Sequence, residues 1–158
     1  MPKKTTFTSG EVATITGLNL ETLRVWLRRD YFQFEKASGW RRFTPHQVAV
    51  IGCFAEIVTQ TSNHDLAREL SRWAYLHLTK SEPGSGCVVV AVRTEAGTYD
   101  LDRFSTPREA ATYVVEVLEG VTYERAPAAV SIINIGEIAA RLAMRVMTLV
   151  QQDRPPDP

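Results

Sequence analysis

The run Pro83-Gly84-Ser85-Gly86 divides the chain into two parts whose apolar residues recur with different periods. Proline cannot continue a helix, and glycine and serine have little to bury, so the run reads as a linker. Before it, apolar residues repeat at helical spacing. After it, a β-branched run and an alternating run appear. This change of period excludes a simple helical bundle and an all-β domain.

The helices of the first part announce their own starts. Thr8-Ser9-Gly10-Glu11 is a capping box, in which the Thr8 hydroxyl takes a backbone N–H and Glu11 reaches back to Thr8. Val12 and Ile15 share one face, and Gly17 can end this short helix with a positive φ. Asn19 is the next N-cap, opening a helix from Leu20 to Asp30 whose Leu20, Leu23 and Leu27 form a buried stripe. Two short helices around a glycine turn make a helix-turn-helix. Tyr31 to Phe43 has too little periodicity for a helix, and Ser38-Gly39 is expected at a hairpin tip. Thr44-Pro45-His46-Gln47 is a second capping box, leading Val48, Ile51, Ala55 and Val58. A fourth helix is expected after Ser62-Asn63, burying Leu66, Leu70 and Trp73.

Beyond the linker, Cys87 to Val92 and Tyr99 to Phe104 read as a hairpin around Glu95-Ala96-Gly97. A third capping box, Thr106-Pro107-Arg108-Glu109, starts a helix that stops at Gly120. Val130 to Ile135 is expected as a strand, and a last helix buries Ile138, Leu142, Val146 and Leu149. The expected domains are therefore 1–82, all helix apart from a wing, and 87–152, a small α+β unit. A disordered tail, 153–158, completes the expectation.

Composition narrows the function. Of 158 residues, 44% are hydrophobic and 23% charged, as in an ordinary globular protein. No apolar run spans a bilayer, and no apolar segment follows Lys3-Lys4 to make a signal peptide, so a cytoplasmic, nucleoid-associated location is expected. The net charge of zero hides an asymmetry: residues 1–45 hold eight basic side chains against four acidic ones, and the remainder is acidic by the same margin. A basic end suggests that the first part faces a polyanion. Cys53, Cys87, His46, His64 and His77 have no paired-ligand spacing, so neither a metal site nor a cofactor is expected. No serine sits on a glycine elbow and no glycine-rich loop follows a strand, so an enzyme is not expected. Asp100 and Asp102 share a strand face and read as an ordinary solvated pair.

The chemistry concentrates in two places. Away from its leucines, the second helix carries Glu21, Thr22, Val25, Arg28 and Arg29, with Arg24 at the flank and Trp26 nearby. Arginine can bond guanine edges or phosphates, and small apolar groups can touch the thymine methyl. The other place is Trp40-Arg41-Arg42-Phe43, where adjacent arginines point to opposite strand faces. One can reach a phosphate while the other braces the fold.

Taken together, Phe7 to Leu18, Asn19-Leu20-Glu21-Thr22-Leu23-Arg24-Val25-Trp26-Leu27-Arg28-Arg29 and Trp40-Arg41-Arg42-Phe43-Thr44 resemble MerR-type regulators over about residues 7–75. The resemblance implies a winged helix-turn-helix that binds double-stranded DNA, with the second helix in the major groove. It implies base reading by Thr22, Val25 and Arg28, and phosphate contacts by Arg24, Arg41 and Arg42. Thr8, Trp26, Arg29 and Trp40 complete the candidate DNA-contacting set. Val25-Trp26 stands where family members usually carry two tyrosines, and Asp30 replaces a common glycine. The long dimerisation helix usual after the fourth helix is replaced by the linker. A homodimer is expected instead through the C-terminal domain, whose last helix carries extra apolar residues at Ala139, Ala143, Met147 and Val150. Ligand sensing by that domain is the alternative. The whole reads as a transcription regulator; an excisionase-like recombination factor and a protein-docking adaptor are the competing readings.

Overall fold

A computed structural model describes residues 6–34, 41–78, 86–123 and 127–152, with backbone alone at 75–78 and 152. The described residues form six helices and a three-stranded antiparallel sheet, the mixed fold that the change of period predicts. Two compact units result, divided after Leu78 and again before Ala139.

The first unit contains α1 (Ser9–Thr16), α2 (Leu20–Arg28), α3 (Pro45–Thr61) and α4 (His64–Leu78). Thr8 and Thr44 close full capping boxes, and Gly17 ends α1 at φ 72°. Asn19 caps α2 by accepting the Glu21 N–H at 2.8 Å. α2 stops two residues short of its expected end because Asp30 turns left-handed, at φ 55°. There the Tyr31 N–H donates to the Trp26 carbonyl and the Asp30 N–H to the Leu27 carbonyl, both at 3.3 Å. This is the Schellman closure, in which glycine is the preferred residue. A left-handed non-glycine costs about 1–2 kcal/mol, less for Asp, while glycine adds about 0.4–1 kcal/mol of unfolded-state entropy. Asp30→Gly is expected to stabilise the fold by about 0.5 kcal/mol, read as a raised melting temperature. A lowered one would show that the Asp30 side chain contributes more than its backbone costs.

The C-terminal part of α6 (Ile135–Gln152), from Ala139 onward, clusters with this first unit. The expected second domain, 87–152, takes in the whole of this helix. Leu142 is buried, and a Cβ placed on Gly52 of α3 would lie 2.6 Å from both of its methyl carbons. An added methyl would oblige the end of this leucine to shift. Glu56, one turn along α3, receives Arg141 at 3.4 Å and Arg145 at 3.6 Å.

The second unit is built on β1 (Val88–Arg93), β2 (Tyr99–Phe104) and β3 (Ala129–Asn134), in the order β2-β1-β3, with α5 (Pro107–Leu118). As the central strand, β1 is buried on both faces from Val88 to Val92, which explains its unbroken apolar run. Val88, Val90 and Val92 pack with Ala110 and Val117 of α5. Their β2 partners across the ladder are Phe104, Asp102 and Asp100. Directly paired residues share a sheet face, so both aspartates lie on the α5 side, where Asp100 is exposed and Asp102 half-buried. The Tyr113 hydroxyl donates to Asp102 at 2.8 Å and the Tyr123 hydroxyl to Asp100 at 3.2 Å.

Burial, followed by the hydrogen bond and charge of Asp102, holds the Tyr113 hydroxyl above its ordinary pKa. Burial and then Asp100 raise Tyr123 likewise. An acid whose folded pKa exceeds its unfolded value contributes stability that is full below the unfolded value, about 10 for tyrosine. That contribution fades as pH rises. Stability is expected to fall above about pH 10, and Tyr113→Phe to make the fall shallower. Chemical denaturation across that range checks this, and an unchanged slope in the variant would remove Tyr113 from the account.

Candidate nucleic-acid interface

The faces of α2 explain how it presents its side chains. Leu23 is fully buried and Trp26 only 8% exposed, so these two anchor the helix. Trp26 meets the Phe54 ring edge-on at 4.8 Å between centroids, with Phe32 at 6.4 Å and His64 at 6.1 Å. Trp26, expected among the DNA-contacting residues, thus packs its indole within the aromatic core. Leu20 and Leu27, expected in the buried stripe, are half-buried.

On the opposite side Glu21, Arg24, Arg28 and Arg29 are exposed, and Thr22 and Val25 are half-buried beside them. Arg24 pairs with Glu21 one turn earlier, with both side chains largely exposed. An exposed pair of this kind holds its partners weakly, by about 0.2–1 kcal/mol, so a phosphate can displace Glu21. Glu21, Arg24, Leu27 and Arg28 line a depression of about 380 Å³. The face thus offers guanidiniums at the middle and C-terminal end of α2, with the shorter Thr22 and Val25 beside them, a pattern suited to a groove edged by phosphates.

The remaining candidates have more varied settings. Thr8 is exposed, but its hydroxyl and N–H are engaged by Glu11 in the α1 cap. Arg41 is half-buried, its guanidinium carbon 5.4 Å from the Phe43 ring centroid and 5.9 Å from that of Phe34. It braces the fold by cation–π contact. Arg42 is exposed. Phe43 is joined to Phe7 by a two-way backbone bridge at 2.8 Å, which ties the end of the expected wing to the start of α1. Trp40 and the expected hairpin tip, Ser38-Gly39, lie outside the described residues.

Two helices joined at Gly17, the second aiming arginines outward, followed by a bridged segment and a capped third helix, form a helix-turn-helix arrangement. Residues 7–56 match the family model described as MerR HTH family regulatory protein. No curated protein matches the chain. The MerR-type segment covers α1, α2 and most of α3, and makes this a DNA-binding regulator in general terms. It is a regulator domain rather than an enzyme domain. Among the described residues, no helix is long and apolar enough to cross a membrane.

The aromatic cluster is what the sequence reading missed. Tyr31 stacks on Phe54 at 5.5 Å and Phe32 on Phe34 at 5.4 Å. The available signal was the density of aromatic residues from Tyr31 to Phe34, directly after a helix that carries Trp26.

Proposed function

We propose that this protein is a sequence-specific regulator of transcription that lays α2 in the major groove of double-stranded DNA. The observation that carries the reading is the two-sidedness of α2 within the MerR-type segment. Leu23 and Trp26 anchor one side, while Arg24, Arg28 and Arg29 stand exposed on the other. Thr22, Val25 and Arg28 read base edges; Arg24, Arg29 and Arg42 hold phosphates. Arg41 positions the segment that carries Arg42. A homodimer brings two copies of α2 to the half-sites of a palindrome. Its interface is the outer side of α6, where Met147 is 58% exposed and Ala143 lies one turn away.

The test is selection of bound duplexes from a random DNA pool at moderate salt, with Arg28→Ala in parallel. A discrete two-fold motif is expected, and the variant should relax one position in each half at a cost of about 1–3 kcal/mol. Met147→Glu should convert the dimer to a monomer in sedimentation and weaken binding to the full site. If nothing enriches and binding only fades with salt, the counterion effect alone accounts for it. In that case a shape-reading recombination accessory role replaces promoter recognition.

A further inference from the structure

The C-terminal part of α6 and the side of α1 line an open cavity of about 450 Å³, within the size range of small-molecule sites. Ile15, Met144 and Leu149 give it apolar walls, together with two threonines. Among the described residues, the charged groups in its lining are Arg141 and Arg145, and no carboxylate lines it.

Both guanidiniums are partly open to solvent, with side chains 43% and 44% exposed. Glu56 is shared between them at 3.4 and 3.6 Å, and Arg145 also donates to the Ile15 carbonyl at 3.3 Å. Charge-assisted N–H···O bonds normally close to about 2.7–2.9 Å, so a carboxylate arriving through the cavity can offer a shorter contact than any of these three. Met144, 64% exposed, leaves an apolar surface available to a ligand body. A cation would be repelled here. A wholly apolar molecule would strip water from two guanidiniums without replacing their hydrogen bonds.

We infer that this cavity is a binding site for a small amphipathic monocarboxylate, with its carboxylate on Arg141 and Arg145 and its apolar body against Ile15, Met144 and Leu149. The inference goes beyond the DNA-binding reading and does not rest on it, since none of the proposed DNA contacts lines the cavity.

The experiment is calorimetric titration of the full chain with octanoate and 4-phenylbutyrate, against 1-octanol, 4-phenylbutanol and octylammonium. Methyl chemical shifts of Ile15 and Leu149 report the location. Saturable one-to-one binding of at least one carboxylate is expected, perturbing those methyls, with the matched alcohol at least tenfold weaker and the ammonium silent. Arg141→Gln and Arg145→Gln should each weaken the carboxylate at least tenfold and leave the alcohol unchanged. Should Arg145→Gln not fold, Arg145→Lys provides the same comparison, since lysine keeps the charge but loses the planar fork. The site is overturned if neither carboxylate saturates, if the alcohols bind as well, or if the folded arginine variants bind like the parent. DNA is absent from every arm, so the outcome is independent of what α2 does.

Discussion

Trp26→Ala is expected to destabilise the first unit by about 3–5 kcal/mol, among the largest effects a single substitution can have here. The indole is buried against Phe54, Phe32 and His64, side chains drawn from α3, the segment after α2 and the first residue of α4. Removing it leaves a cavity where three separate stretches of chain converge, and no single neighbour can relax to fill it. For a domain of this size each kcal/mol moves the melting temperature by about 4–8 °C, so the shift should be easily measured by circular dichroism. The opposite result is equally clear. A Trp26→Ala protein that melts like the parent yet fails to bind DNA would place the indole in the interface, as the amino-acid sequence alone suggests.

The difficulty at Trp26 shows where sequence reading stops. Helical periodicity in α2 admits two inward stripes, Leu20-Leu23-Leu27 and Leu23-Trp26, since a step of three and a step of four both keep to one helix face. The choice depends on what lies opposite, and Phe54 and His64 are too distant in sequence to be matched to α2 by spacing. Local signals fared better. The capping boxes at Thr8, Thr44 and Thr106 and the hairpin turn after β1 are settled within a few residues, and each stands where the sequence places it. The arginine pair was also readable in part. Alternation predicts one bracing and one exposed side chain at Arg41 and Arg42, but only the rings of Phe34 and Phe43 decide that Arg41 braces. Asp100 and Asp102 were correctly put on one face. What covers part of that face was decided by α5, whose Tyr113 reaches back to Asp102 while Asp100 stays exposed.

Leu142 and Gly52 carry the same lesson into the largest expected effect at the C-terminal helix. Nothing in the sequence links a glycine in α3 to a leucine far along the chain, and the linker at 83–86 encourages assigning them to different domains. Leu142→Ala is expected to cost about 2–5 kcal/mol, the range for emptying a buried leucine site. Gly52→Ala places a methyl 2.6 Å from both Leu142 methyl carbons, an overpacking worth about 1–3 kcal/mol. Against that, alanine gains about 1 kcal/mol of helix propensity over glycine, so the net cost is modest. The double variant decides the matter. With Leu142 truncated, the methyl added by Gly52→Ala occupies vacated space, its overpacking disappears and only its propensity gain remains. Gly52→Ala should therefore destabilise the parent but stabilise the Leu142→Ala background, a coupling within the about 0.5–3 kcal/mol seen for residues in contact. If Gly52→Ala stabilises both backgrounds equally, α6 does not dock on α3 through this leucine, and the division of the chain before Ala139 loses its physical basis.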